Sequence, residues 1–103
     1  MNFKIIIRPE AETDLTETYR WYEEKCPDLG LDFLNCVDAA FDTILENPKL
    51  YQQVYKNIRR ALPRRFPYEI FYIIKNNKII VLGVLHAKRD PELLKERVNQ
   101  GDF

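Results

Sequence analysis

Two runs rich in β-branched and aromatic residues, Tyr68–Lys75 and Lys78–His86, flank the dipeptide Asn76-Asn77. Such residues suit a pleated, half-buried surface. Asparagine tolerates the positive φ that a two-residue hairpin loop demands. The spacing therefore predicts a strongly apolar β-hairpin, and any fold containing it has to cover at least one of its faces. Just upstream, Ile58–Leu62 is short and strand-like, and Pro63–Pro67 reads as the turn that follows. The stretch from Ile58 to Asp90 is thus expected to form a three-stranded meander, with arginines at one end and His86, Lys88 and Arg89 at the other.

A two-residue loop also fixes register, setting Lys75 opposite Lys78, Phe71 opposite Leu82 and Glu69 opposite Val84. One face then carries Tyr68, Ile70, Tyr72, Ile79, Val81 and Leu85, and is expected to meet helices. The other carries Glu69, Phe71, Ile73, Ile80, Leu82, Val84 and His86, and is expected to be partly open. Lone proteins seldom leave so large an apolar patch in water, so a partner or the C-terminal segment should cover it. On this register Glu69 and His86 are diagonal neighbours. They read either as an acid–base pair or as an ordinary pair that keeps a strand end wet.

The N-terminal half supplies the cover for the first face. Phe3, Ile5 and Ile7 alternate as one side of a short strand. Pro9 can open a helix because its missing N–H would be unsatisfied there anyway, and Glu10, Glu12 and Asp14 favour the positive end of its dipole. Ala11, Leu15, Tyr19, Tyr22 and Cys26 make its apolar stripe, and the helix should run to about Lys25. Trp21 lies about a third of a turn off that stripe, where it can pack on the flank or anchor a partner. Cys26-Pro27-Asp28 breaks the helix, with Asp28 placed to cap the next. A second stripe through Phe33, Cys36, Val37, Ala40, Phe41 and Ile44 runs until Asn47-Pro48 stops it. Together these predict an αα-hairpin. Lys49–Asn57 reads as a polar connection. Pro91 can open a last helix over PELLKERV, or that segment can stay a frayed tail.

At 103 residues the chain is expected to be a single domain over residues 1–103 with one core. Its apolar runs are too short for a membrane span or a signal peptide, so no membrane partner is expected and a cytoplasmic protein is the default. Two cysteines ten residues apart and one histidine make no metal site of known spacing, and buried free thiols are the plainer reading. The formal net charge of zero conceals a division: residues 1–47 hold 4 basic and 11 acidic side chains, residues 48–103 hold 12 and 5. That asymmetry suggests a polyanionic partner for the C-terminal half. Arg59, Arg60, Arg64, Arg65, Lys88 and Arg89 are the candidate contacts, since guanidinium forks suit phosphate oxygens. A basic run that is merely solvated is the alternative.

Taken in order, Arg8-Pro9-Glu10-Ala11-Glu12-Thr13-Asp14-Leu15, Glu46-Asn47-Pro48, Ile58-Arg59-Arg60-Ala61-Leu62, Phe66-Pro67-Tyr68-Glu69-Ile70-Phe71-Tyr72 and Val84-Leu85-His86-Ala87-Lys88-Arg89-Asp90-Pro91 span nearly the whole chain. This ordered set resembles the RelE/ParE superfamily of type II toxin–antitoxin toxins, also called plasmid-stabilisation proteins. The resemblance implies an α+β fold of β-α-α-β-β-β order, the helical hairpin packed on one face of a small, largely antiparallel sheet. It implies no cofactor and no metal, and a cognate antitoxin wrapping helices and sheet in a hetero-oligomer. Trp21 and the open-face residues Phe71, Ile73 and Leu82 are the expected antitoxin contacts.

Members of the superfamily differ in target. RelE-like members cut messenger RNA on the ribosome; ParE-like members poison DNA gyrase and are not known to be nucleases. If this chain were a metal-independent endoribonuclease, Arg65, Glu69, His86 and Arg89 would be its catalytic candidates. Arg89 matches a catalytic-type arginine after the last strand. Glu69, however, stands where RNA-cleaving members carry an arginine, and the late tyrosine is missing from Pro91-Glu92-Leu93-Leu94-Lys95. A carboxylate facing a phosphate is electrostatically wrong unless it works as a base. The ParE-like, non-enzymatic reading is therefore favoured, with Arg59, Arg60, Lys88 and Arg89 near the target. The remaining alternative is a degenerate member that binds only its antitoxin and, with it, DNA.

Overall fold

The computed structural model describes residues 2–99. Its elements are β1 (Lys4–Ile7), α1 (Pro9–Lys25), α2 (Leu29–Glu46), β2 (Gln53–Tyr55), β3 (Ile58–Ala61), β4 (Tyr68–Lys75), β5 (Lys78–His86) and α3 (Pro91–Asn99). The sheet order is β1-β5-β4-β3-β2. All neighbours are antiparallel except β1, which lies parallel to β5 at one edge. The α+β architecture matches the expectation, with one strand more. β2 falls in the stretch read as a polar connection, and its three residues pair with β3 through an irregular register.

Pro9 occupies the first turn of α1 with Arg8 extended before it. In that turn Glu10 titrates below the usual carboxylate range, chiefly through its backbone hydrogen bond and then through Arg8. The start of α2 departs from expectation. Asp28 does precede the helix, but at φ 69° it is left-handed and its side chain makes no capping hydrogen bond. The cap comes from α1 instead. Glu23 accepts from the backbone N–H of Asp28 at 3.2 Å, of Gly30 at 2.8 Å and of Leu31 at 3.4 Å. A side chain at residue 30 has no room: a Cβ there would lie 2.5 Å from the Tyr19 carbonyl oxygen. Cys26, expected to be buried, is exposed because α1 has already ended at Lys25.

The hairpin Tyr68–His86 has the predicted bounds, and its loop sets Lys75 opposite Lys78 as expected. Farther along, the register changes. Tyr72 faces Val81 but Phe71 faces Gly83, so Leu82 is an extra residue on β5, a bulge. Every side chain beyond it is inverted from the simple alternation. Val84 turns to the core beneath α1 and α2, with Phe33, Val37, Ile70 and Tyr72. Leu85 joins Phe71, Ile73 and Leu82 in a second core. Leu94 of α3, 5% exposed, closes that second core. The face expected to need cover from a partner or the C-terminal segment is covered by the chain's own last helix, and Phe71, Ile73 and Leu82 are buried.

Two long-range links hold the helices to the sheet. The Tyr72 hydroxyl donates to the Pro48 carbonyl at 2.7 Å, and its complete burial pushes its pKa up to about 12, a rise that Arg59 opposes. At the other edge β1 stops pairing at Val81, leaving the rest of β5 without a strand on that side. Asp14 of α1 and Arg97 of α3 complete that edge. The Asp14 carboxylate accepts from Val84 N–H at 3.0 Å, while Arg97 donates to the Leu82 carbonyl at 2.9 Å and to Asp14 at 2.9 and 3.2 Å. A Cβ at position 83 would lie 2.9 Å from the Arg97 guanidinium, so Gly83 leaves room for the pair.

Candidate functional site

The expected basic cluster is divided among four places. Arg59 faces the helical hairpin, where its guanidinium donates to the carbonyls of Lys49 at 3.1 Å and Tyr51 at 2.6 Å. It ties a turn to the sheet instead of facing a target. Arg64 and Arg65 lie in the loop before β4, and Arg65 adopts a left-handed φ of 72°. They line a groove of about 430 Å³ against α2, with Asp32, Ala39, Thr43 and Leu62 among its walls. Arg65 reaches Asp32 at 3.7 Å. Lys88 is exposed in the turn after β5.

Arg60 and Arg89 do come together, and Glu69 is the reason. The β3–β4 register places Arg60 beside Phe71 on the α3 face, and the bulge leaves Glu69 on that same face opposite Leu85. The Glu69 carboxylate accepts from Arg60 at 3.3 Å through one oxygen and from Arg89 at 2.6 Å through the other. Glu69 is only 8% exposed. The Arg89 guanidinium also stacks over Phe71, 4.5 Å from its ring centre. Beside this triad a cavity of about 180 Å³ is lined by Tyr55, Arg60, Phe71, Arg89, Leu94 and Lys95. Lys56 and Lys95 place their ammonium groups 5.4 and 5.8 Å from the Tyr55 ring centre. Sequence reasoning missed Tyr55 and Lys95 here. A positive-φ residue at Lys56 turns the β2–β3 hairpin, and only the docking of α3 brings Lys95 over it.

His86 is elsewhere. Because of the bulge it sits directly across from Tyr68 and turns to the helical-hairpin side, its ring 5.1 Å from that of Tyr68. Glu69 and His86, read from the simple register as diagonal neighbours, are not: the two side chains leave opposite faces of the sheet. The His86 Nδ1 accepts from the Lys88 N–H at 3.0 Å, which leaves the proton of the neutral ring on Nε2. A groove of about 520 Å³ opens here, walled by Trp21, Tyr22, Pro67, Tyr68 and His86, with Glu17 and Thr18 along α1. Trp21 is 51% exposed. Among the described residues no cluster of three or more His, Cys, Asp or Glu side chains could hold a metal ion, and no helix is long and apolar enough to cross a membrane.

The fold is similar to that of solved toxin–antitoxin proteins. A chain of the chromosomal ParDE toxin–antitoxin system from P. aeruginosa superposes with a TM-score of 0.73 at 15% identity, over 82% of this chain and 95% of that one. A chain of the RelBE2 toxin–antitoxin complex from Mycobacterium tuberculosis superposes with a TM-score of 0.57 at 17% identity, over 84% and 99%. No curated protein sequence matches significantly. Residues 5–91, which include every strand but the first residue of β1 and the whole Arg60–Glu69–Arg89 triad, match the family described as the ParE toxin of the type II toxin–antitoxin system, and the chain belongs to that family.

Proposed function

We propose that this type II toxin arrests bacterial growth from the cytoplasm by binding DNA gyrase, and does not cut messenger RNA. The observation that carries the reading is the buried carboxylate of Glu69 between Arg60 and Arg89. A phosphoryl-transfer site needs uncompensated positive charge where charge develops on the phosphate. Here the two best-placed guanidinium groups share one resident anion. The only histidine is on the other side of the sheet, so Glu69 and His86 cannot pass a proton between them. What remains is a cationic, aromatic-bearing surface around Tyr55, Arg60 and Lys95, suited to holding a partner.

The partner that silences it is a cognate antitoxin, a reading supported by family membership and by the likeness to chains of toxin–antitoxin systems. Trp21, half exposed on α1, is the proposed contact. Phe71, Ile73 and Leu82 are not, since α3 occupies the face on which they lie. Expression of the protein alone in bacteria tests the function, with growth, message integrity and plasmid supercoiling followed in the same culture. Arrest with intact messages and altered supercoiling is expected. Rapid message cleavage at the onset of arrest would overturn the reading.

A further inference from the structure

The groove beside α1 is walled by aromatic side chains. Its rings form a chain: Trp21 meets Tyr22 edge to face at 5.0 Å, Tyr22 meets Tyr68 at 6.2 Å, and Tyr68 meets His86 at 5.1 Å. Aromatic faces carry negative quadrupole potential and attract cations. Lys25 already places its ammonium 4.9 Å from the Trp21 ring centre, so this ring accepts a cation within the chain itself. Glu17 lies one helical turn before Trp21 and lines the same groove. Among the described residues Glu17 has no basic partner within salt-bridge distance.

We propose that this groove receives a cationic side chain, an arginine, from a basic segment of a protein partner. Arginine suits it better than lysine because a planar guanidinium can stack on Trp21 and Tyr68 while its edge donates to a carboxylate. Glu17 is that carboxylate. Charge complementarity points the same way: residues 1–47, which supply α1 and α2, hold 11 acidic and 4 basic side chains. The volume, about 520 Å³, exceeds one side chain and leaves room for the flanking backbone. This site is separate from the Arg60–Glu69–Arg89 face and calls for a partner segment of opposite charge. A single partner that grips both faces would therefore need a basic stretch over α1 and an acidic one over the β2–α3 side.

The chain holds one tryptophan and one histidine, so the Trp21 indole and His86 ring signals are unambiguous in nuclear magnetic resonance spectra. The 103-residue chain is titrated with a capped Gly-Arg-Gly peptide to about 20 mM, a range that captures millimolar dissociation constants. The same peptide with citrulline, which keeps the shape without the charge, is the comparison. Saturable shifts of the Trp21 and His86 signals with the arginine peptide are expected, at least about fivefold weaker binding by Glu17→Gln, and unchanged binding by Glu12→Gln elsewhere on α1. No saturable shift, equal binding of the citrulline peptide, or an equal effect of the two variants would overturn the proposal. None of these outcomes bears on message cleavage or supercoiling, so the site and the growth-arrest mechanism fail separately.

Discussion

At the scale of single residues, two buried polar groups decide most. Tyr72 is completely buried and its hydroxyl is hydrogen-bonded to Pro48. Its folded-state pKa of about 12 stands above the ordinary value of 10, so the folded protein holds the phenolic proton more tightly. The stability this confers is fully present below pH 10 and is lost as pH rises through 12. Tyr72→Phe should cost about 1 kcal/mol at neutral pH through the lost hydrogen bond. It should also flatten the fall of stability between pH 10 and 12, a difference on the order of 2–3 kcal/mol for a shift of this size. Urea unfolding at a series of pH values measures both. Glu69 has the opposite character, a carboxylate kept in place by two guanidinium groups. Glu69→Gln should lower stability by about 1–3 kcal/mol, because Arg89, with 17% of its side chain exposed, loses a charged partner. The same change should strengthen binding of a single-stranded oligonucleotide several-fold at low salt, since it frees Arg60 and Arg89 to meet phosphate. Calorimetric titration at two salt concentrations would show it, and equal affinity of both proteins would count against Glu69 as the group that neutralises the pair.

At the scale of elements, the α1–α2 junction separates a cap assigned from sequence position from the cap the fold uses. Asp28 occupies the capping position, but its backbone is left-handed and its side chain makes no capping hydrogen bond. Glu23, on the previous helix, takes over the free N–H groups. Glu23→Ala should therefore cost about 1–2 kcal/mol, the value of a helix cap. Asp28→Gly should fall within about 0.5 kcal/mol of the parent or stabilise it, because glycine accepts the left-handed conformation without the Cβ penalty. Thermal unfolding of the two variants side by side distinguishes these roles; a larger loss at Asp28 than at Glu23 would reverse the assignment. The hairpin shows the complementary case. Its bounds and loop follow from local chemistry, while the bulge at Leu82 answers to what lies above and below the sheet. With it, Val84 reaches one core and Leu85 the other.

For the molecule as a whole, α3 is the element on which the second core depends. Leu94 caps that core, and Arg97 joins α1, β5 and α3 through Asp14 with only 13% of either side chain exposed. Ending the chain after Asp90 should expose Phe71, Leu82 and Leu85 and raise the binding of an apolar dye. It should also lower stability by at least about 3 kcal/mol, combining the lost burial of a leucine with the broken pair. Urea midpoints of the truncated and full chains would decide it, and unchanged stability would mean that α3 contributes little to the fold. The charge division also acts at this scale. The acidic half builds the helical hairpin and the basic half most of the sheet, so the two sides of the sheet present different electrostatic surfaces.

Both helices of the hairpin, the two long strands and the family were legible in the amino-acid order alone. Prolines, asparagines and apolar periods act over a few residues, and their effect hardly depends on the rest of the chain. Three things were not legible. A bulge inverts every later side chain of its strand, and nothing in KIIVLGVLH alone says which residue is the extra one; the two cores and the Asp14–Arg97 pair against Gly83 select it. The pairing of Asp14 with Arg97 spans 83 positions, far beyond any local rule. The separation of Glu69 from His86 follows from the bulge, so the chemistry of the sheet end was settled only when helices packed on both of its faces.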